Sequence, residues 1–226
     1  MAKQVVVKNN HLKYGGTAYF RGRAEEVHLG SYGEKRTPIT KMNYLEVKGK
    51  IRVPKSNIAL ATIVDIDFTK TSKSAFHTAV SVIVQGVPVN ISGILALKWL
   101  KKGRLKLVKF SVTNNGMKKA ANRSTQALKD LVYYGKNARI AHEVFVVMEA
   151  SLAEKFNHNV SVDFSVRKWG VKAIVGGKSS SQGRTSVNIS DGTTFAYLLL
   201  SIDWNAKKKK NKTKIMDLND DQWGSN

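Results

Sequence analysis

Alternation of apolar and polar positions dominates this chain and predicts strands over most of its length. Val5, Val6 and Val7 open a short β run, and Gly15-Gly16 marks a turn or bulge. Between Ile58 and Phe68 the residues Ile58, Leu60, Thr62, Val64, Ile66 and Phe68 share one face, with Asp65 and Asp67 on the other. A polar segment from Thr69 to Ser74 follows, and then Val80, Val82 and Val84 alternate again. The two runs together predict a long hairpin around a Ser/Thr/Lys tip. Leu105 to Val112 alternates too, but its apolar face switches after Leu107, so a bulge is expected there. Val160, Val162, Phe164 and Val166 make a further strand, Gly176 to Gly183 reads as a flexible tip, and Val187 and Ile189 lie on the return strand. In the last run Ala196, Leu198, Leu200, Ile202 and Trp204 are backed by apolar Tyr197 and Leu199, the mark of an internal strand.

Helices are fewer. Ser124 suits an N-cap, Leu128, Leu131 and Val132 form a stripe, and Gly135 suits the position just past the last turn. Ser92 to Gly103 reads as a short basic amphipathic helix, with Ile94, Leu95, Leu97, Trp99 and Leu100 against Lys98, Lys101 and Lys102. It suits either a membrane surface or simple packing on the sheet with its lysines in water. Ala138 to Phe156 is balanced between helix formers (Glu143, Met148, Glu149, Leu152, Glu154) and a β-favouring Val144 to Val147. The expected class is α+β: a β-rich, mixed or antiparallel twisted sheet with long hairpins and a few short helices. Residues 1–205 are expected to form one domain, and 206–226 a basic linker with a short acidic tail.

Charge changes the picture most. The 226 residues carry 38 Lys plus Arg against 16 Asp plus Glu, a net charge of +22, with 42% hydrophobic residues and no cysteine. Such a surface repels itself and seeks a polyanion, either nucleic acid or an anionic membrane. Its acids are unevenly placed. None falls from Phe68 to Lys129, a stretch holding Lys70, Lys73, Lys98, Lys101, Lys102, Arg104, Lys106, Lys109, Lys118, Lys119, Arg123 and Lys129. None falls from Phe164 to Ser190 either, with Arg167, Lys168, Lys172, Lys178 and Arg184. Segments that meet phosphates keep carboxylates out, whereas a plain solvated face has less reason to. Lys207, Lys208, Lys209, Lys210, Lys212 and Lys214 then form a lysine run, followed by the acidic, partly apolar Ile215 to Trp223 with Asp217, Asp220 and Asp221. A peptide of that kind behind a basic linker is suited to fold back on the basic body, and Trp223 favours docking over a merely solubilising tail. The absence of a long apolar run at the start points to a cytoplasmic origin.

Catalytic chemistry is hard to assemble. The lack of cysteine excludes thiolate nucleophiles and cysteine-ligated metals. His11, His28, His77, His142 and His158 have no ligand spacing, and His142-Glu143 is followed by Val146 where a zincin helix needs its second His. Gly177-Lys178-Ser179 mimics the end of a phosphate loop, but Lys172 stands at the position of the first glycine. Asp65 and Asp67 suit an ion-paired surface with Lys70 and Lys73 better than a paired-acid site. No enzyme, metal or cofactor is expected.

The order of segments in the second half carries a resemblance. Lys106-Leu-Val-Lys-Phe-Ser-Val precedes the Ser124–Tyr134 helix, which leads into Glu143-Val-Phe-Val-Val-Met-Glu-Ala-Ser-Leu-Ala-Glu-Lys-Phe. The Val160–Val166 strand, Val171-Lys-Ala-Ile-Val-Gly-Gly-Lys, a Ser/Gly tip and Thr185 to Trp204 with its Phe195-Ala196 follow. Over residues 58–204 this resembles the small bacterial and fungal gasdermin-like proteins. The resemblance implies a pore-former held inactive by a short C-terminal peptide and released by a protease. It then oligomerises into a β-barrel at the inner face of the cell membrane and kills the cell.

Under that reading Lys98, Trp99, Lys101, Lys102, Arg104, Lys106, Lys109, Lys118 and Lys119 contact anionic lipid. Membrane hairpin 1 holds Ile58, Leu60, Val64, Ile66, Phe68, Val80, Val82 and Val84, and hairpin 2 holds Phe164, Val166, Val171, Ile174, Val187 and Ile189. Ile58 to Phe68 and its partner run approach the roughly 9–11 alternating residues that a membrane strand needs. The lysine run is then the protease-accessible linker. The alternative partner is RNA or single-stranded DNA on the same basic face, with Tyr14, Tyr19, Phe20, Trp99 and Trp169 available for stacking.

Overall fold

The computed structural model describes residues 4–39, 42–53, 59–77, 82–83, 90–154, 160–167, 185–190, 194–204 and 214–225. The N-terminal strands are β1 (Gln4–Val7), β2 (His11–Tyr14) and β3 (Thr17–Phe20). Gly15 and Gly16 sit at φ 58° and 88°, the left-handed pair that a two-residue hairpin requires, and they fold β3 back on β2. A short 3-10 turn at Ala24–Glu26 leads to β4 (Ser31–Arg36), which pairs antiparallel with β5 (Tyr44–Lys50).

The middle of the chain holds β6 (Ala59–Ile66), α1 (Ser74–His77), the two-residue strands β7 (Val82–Ile83) and β8 (Asn90–Ile91), α2 (Gly93–Lys101) and β9 (Leu105–Ser111). Then come α3 (Asn114–Asn122), α4 (Thr125–Tyr134), β10 (Ala138–Glu149), α5 (Ala150–Ala153), β11 (Val160–Arg167) and β12 (Thr185–Ser190). The chain closes with β13 (Thr194–Asp203) and β14 (Asp217–Asp221). The fold is α+β, a β-rich sheet with a few short helices, as the alternation predicts.

The main sheet curls into a barrel-like ring. Its pairings run β6–β1–β2–β3–β13–β10–β9, and β9 pairs β6 again. The seam between β3 and β13 is the thinnest, a single pair of Tyr197 with Phe20. Ring strands therefore have an inner and an outer face, and both are apolar. Val5, Val7, Leu12, Tyr19, Val64, Leu105, Leu107, Phe145, Val147 and Leu198 belong to one core. Phe20, Val108, Phe110, Val144, Val146, Met148, Tyr197 and Leu199 belong to the other, with Met117 of α3, Leu131 of α4 and Leu45 of β5. A ring of this size is filled by its own side chains.

That double burial explains where the sequence pattern misleads. The change of apolar face at Leu107 is not a bulge: β9 keeps register with both β6 and β10, Leu105 and Leu107 facing one core and Val108 and Phe110 the other. Ala138–Glu149 is a strand despite its helix formers, because burying Val144 to Met148 on two faces outweighs local propensity. Helices α2 and α4 form where the sequence pattern places them. The Ser92 and Ser124 side chains accept from the amides of Leu95 and Ala127, and Gly135 at φ 57° ends α4.

Neither expected hairpin is present among the described residues. β6 pairs antiparallel with β9, Leu60 to Val64 against Ser111 to Leu107, and its other edge takes β1 and β11. Val82 pairs with Ile91 of β8 rather than with β6. The cause is local. The Asp67 carboxylate accepts from Thr69 N, Thr69 Oγ1 and Lys70 N, turning the chain out of the sheet into α1. β9, apolar on both faces, gives Val64 a place in the inner core and lets Ile63 pack against the outer one.

β11 and β12 pair in parallel, Val162 with Thr185 through Arg167 with Ser190, so Val187 and Ile189 are not on a return strand against Phe164 and Val166. A parallel pair needs a crossover of a dozen or more residues, a length that 168–184 supplies. Ile58, Val80, Val84, Val171 and Ile174 lie outside the described residues.

Candidate polyanion surface and the strand beside it

Many of the described acids are engaged within the fold. Glu143 accepts from Lys109 Nζ at 2.9 Å and Tyr19 Oη at 2.6 Å. Asp130 accepts from the Tyr32 hydroxyl at 2.8 Å, and burial, helped by this carboxylate, pushes that phenol up to about 12. Arg36 is bound by Glu34 and Glu46, and Lys70 by Asp67. The Thr69 and Lys70 donors hold the Asp67 carboxyl down at about 2. The ion-paired-surface reading of Asp67 therefore fits its geometry. Positive charge is what these pairings leave facing water.

Its densest run is α2 and the turn after it. Ala96 and Leu100 point into the inner core, where Ala75 of α1 joins them, so α2 closes that side of the barrel. The opposite side of the helix is left to solvent. Lys98, Lys101, Lys102 and Arg104 are exposed, Trp99 is half-buried, and Ile94 is 57% exposed among them. Lys101 Nζ sits 5.8 Å above the Phe68 ring. The lysines cluster at the C-terminal end of α2, where the helix dipole favours cations, and Gly103 at φ 71° ends it. An exposed isoleucine on the same helix face as exposed lysines is the composition of an interfacial helix.

The remaining residues expected on that surface divide. Lys109 is not a free cation: its ammonium is ion-paired to Glu143 and lies 5.6 Å from the Tyr14 ring. Lys106 is half-buried on β9, and Lys119 is exposed on α3. Lys118 donates to the Met216 carbonyl at 3.2 Å. Lys98 to Arg104 thus form one continuous patch, while Lys109, Lys118 and Lys119 belong to other elements. Leu60, Val82, Phe164, Val166, Val187 and Ile189 are placed by their backbones alone, Val64 is buried in the inner core, and Ile66 and Phe68 pack against it. Lys214 is exposed, and Lys207, Lys208, Lys209, Lys210 and Lys212 lie outside the described residues.

The acidic C-terminal peptide is a strand of the sheet. β14 pairs antiparallel with β13, Asp217 opposite Asp203 and Asp221 opposite Leu199. Ile215 and Leu218 are buried in the outer core. Asn122 of α3 exchanges hydrogen bonds with the backbone of Ile215, at 2.8 Å and 3.0 Å. The Asn114 amide reaches the Leu218 carbonyl at 3.3 Å. Past the strand, Trp223 N donates to Ala18 O at 2.8 Å and Gln222 Oε1 accepts from Ala18 N at 3.1 Å. The tail thus runs on from β13 to β3, beside the thin seam.

Polar groups fasten this strand. The buried Asp221 carboxylate takes Lys35 Nζ at 2.9 and 3.1 Å and also accepts from Arg139 Nε. His142 is buried with Nδ1 3.2 Å from Val112 O, and its Nε2 lacks a hydrogen bond, with Asp220 Oδ1 3.5 Å away. Burial lowers the His142 pKa, against the opposing pull of Glu143 and Asp220. None of Lys35, Arg139 and His142 is legible as a site residue in the sequence. The acidic, partly apolar character of Ile215 to Trp223 and the Trp223 indole are the signals that the tail docks. Among the described residues no cluster of His, Asp and Glu is arranged to hold a metal ion. Comparison with family models, with curated proteins and with solved structures finds no match for this chain.

Proposed function

We propose that this chain is a gasdermin-like pore-forming protein that binds anionic membranes through α2 and its following turn. Its C-terminal strand holds it in the soluble form. The observation that carries the reading is the attachment of β14. This acidic strand completes a strongly basic body, is fixed by Asp221 and by Ile215 and Leu218, and joins that body through a segment holding Lys207 to Lys212. Cutting that segment converts an intramolecular strand into a dissociable peptide and removes the high effective concentration that keeps it docked.

Conversion to a pore then demands re-pairing. β6 leaves β9, and β11 and β12 give up their parallel pairing, since lipid admits only closed antiparallel strands or helices. The packed inner core means that the barrel-like ring of this state is not itself a channel.

The test is dye release from vesicles, comparing the full chain with one cut between Lys207 and Lys214. Release from anionic vesicles only, and only after the cut, is expected. A cut protein that binds vesicles but never releases dye overturns the pore reading.

A second reading, binding of RNA or single-stranded DNA, is favoured by Tyr133 of α4, 85% exposed and edge-on to Tyr134, with exposed Lys129 and Lys136 nearby in sequence. Oligonucleotide affinity that falls steeply with salt, without vesicle binding, selects it.

A further inference from the structure

Lys35 and Arg139 hold the Asp221 carboxylate as a binding site holds a ligand. Lys35 lies on β4 and Arg139 on β10, neighbouring strands in which Arg139 is opposite Gly33. Their parity places both side chains on one face. Lys35 Nζ bridges the two carboxylate oxygens at 2.9 and 3.1 Å, and Arg139 Nε donates to Oδ2. Ser225 Oγ adds a donor to Oδ1 at 2.9 Å, but it belongs to the tail and leaves with it.

The two cations differ in what remains when the tail is gone. Arg139 Nη1 donates to the carbonyls of Lys136 and Ala138, at 2.6 and 2.9 Å, and both carbonyls belong to the body. Those bonds keep the guanidinium aimed. The described hydrogen bonds of Lys35 go to Asp221 and to the Ser225 carbonyl at 2.8 Å, all in the tail, while its ammonium lies 5.5 Å from the centre of the Phe20 ring. Departure of β14 therefore leaves an oriented guanidinium and an ammonium with free donors, side by side on rigid strands. Two adjacent cations that have lost their shared counter-ion repel each other and favour a replacement anion.

We propose that Lys35 and Arg139 form a phosphate-binding site, filled in cis by Asp221 and in trans by the phosphate of an anionic lipid headgroup. Phosphate suits the cradle better than a second carboxylate, because three acceptor oxygens can take the Lys35 ammonium and the Arg139 fork together. The assignment to lipid rests on the membrane reading above; the phosphate chemistry does not.

The first test uses the wild-type full chain and inorganic phosphate. Amide hydrogen exchange at Leu218 to Asp221 is followed as phosphate replaces chloride at constant ionic strength. Competition for the cradle speeds exchange in phosphate, and equal exchange in both salts overturns the site. The second test compares phosphate affinity of wild type, Asp221→Asn and Asp221→Asn/Arg139→Gln by calorimetry. The single variant is expected to bind roughly tenfold tighter than wild type, and the double variant to lose that gain. Equal binding by single and double variants overturns it. If Asp221→Asn fails to fold, the wild-type exchange experiment decides alone.

The source is tested with Asp221→Asn on vesicles bearing a phosphomonoester headgroup and on neutral phosphocholine vesicles. Preference for the former is expected; phosphate binding without that preference overturns the lipid assignment. Absence of dye release after the linker cut, with phosphate competition intact, removes the pore reading and leaves the site standing.

Discussion

The indole of Trp223 lies flat on the imidazole of His11, with ring centroids 4.3 Å apart and planes 13° from parallel. This contact joins the end of the chain to β2. The Trp223 amide is meanwhile bound to Ala18 O of β3, so the contact and the hydrogen bond together clamp the tail across the barrel seam. Replacing Trp223 by Ala removes the stacked surface and keeps the β14 ladder. The expected cost is about 1–2 kcal/mol, concentrated in the tail. Limited proteolysis should cut the tail of Trp223→Ala faster than that of wild type, while the β9–β10 core keeps its protection. Trp223→Phe, which can still stack, should fall between. Equal cutting of all three proteins would show that the ring contributes nothing to docking.

Both histidines that touch this strand make it acid-sensitive. His11 faces Trp223, and its pKa is lowered by burial first and then by Lys13, Lys8 and Arg21. His142 faces Asp220, and its pKa is lowered by burial and by Lys109, against Glu143, Asp220 and the Val112 carbonyl. In each case the folded protein holds the neutral ring and the unfolded chain binds more protons below the ordinary 6.5. Stability is therefore full above that value and falls as pH drops from 6.5 toward the folded values. Urea midpoints measured from pH 7.5 to 5 should decline. His142→Gln, with no proton to gain, should flatten the decline; an unchanged slope would show that His142 takes up no extra proton on unfolding.

What could be read from the sequence was local. Ser124, Gly135 and the Gly15-Gly16 turn act within a few residues of themselves, and their caps and turn form as their chemistry dictates. Strand partners are not local. β6 looked as though it should pair with the next alternating run, yet its partner is β9, some forty residues on, whose two apolar faces take Val64 into one core and Ile63 against the other. The same two-faced burial hid β10 as a strand and imitated a bulge in β9. The parallel register of β11 and β12 leaves no mark in alternation, which is identical for either direction. The anion cradle was the least legible part. Asp221 is legible as part of the acidic tail, but Lys35 lies 186 residues away and does not stand out in a chain so rich in lysine.

The α2 patch yields a prediction that separates binding from folding. Lys98, Lys101 and Lys102 are exposed, and the helix is held by Ala96 and Leu100 on its other side. Changing the three lysines to Glu should leave the melting transition within about 0.5 kcal/mol of wild type, somewhat lower because acids oppose the dipole at a helix C-terminus. Binding to anionic vesicles at physiological salt should be lost. Retained binding by a folded triple variant would move the contact surface away from α2.

The Glu143 carboxylate joins a cation and a phenol on the inner side of the ring. Lys109 Nζ and Tyr19 Oη share its two oxygens, at 2.9 and 2.6 Å, and the Tyr19 ring meets Phe145 edge-on at 4.8 Å. Burial and the adjacent carboxylate raise the Tyr19 pKa far above the ordinary phenol range. Glu143→Gln keeps an acceptor for the phenol but removes the charge beside it and leaves the largely enclosed Lys109 ammonium uncompensated. The expected loss is about 1–3 kcal/mol. Lys109→Met in the same protein should recover part of it, since an apolar side chain of that volume leaves no unpaired charge. Tyr19 should also ionise at lower pH in Glu143→Gln, read as phenolate absorbance during alkaline titration of folded protein. A titration that does not move would mean that burial alone, rather than the Glu143 charge, holds the phenol protonated.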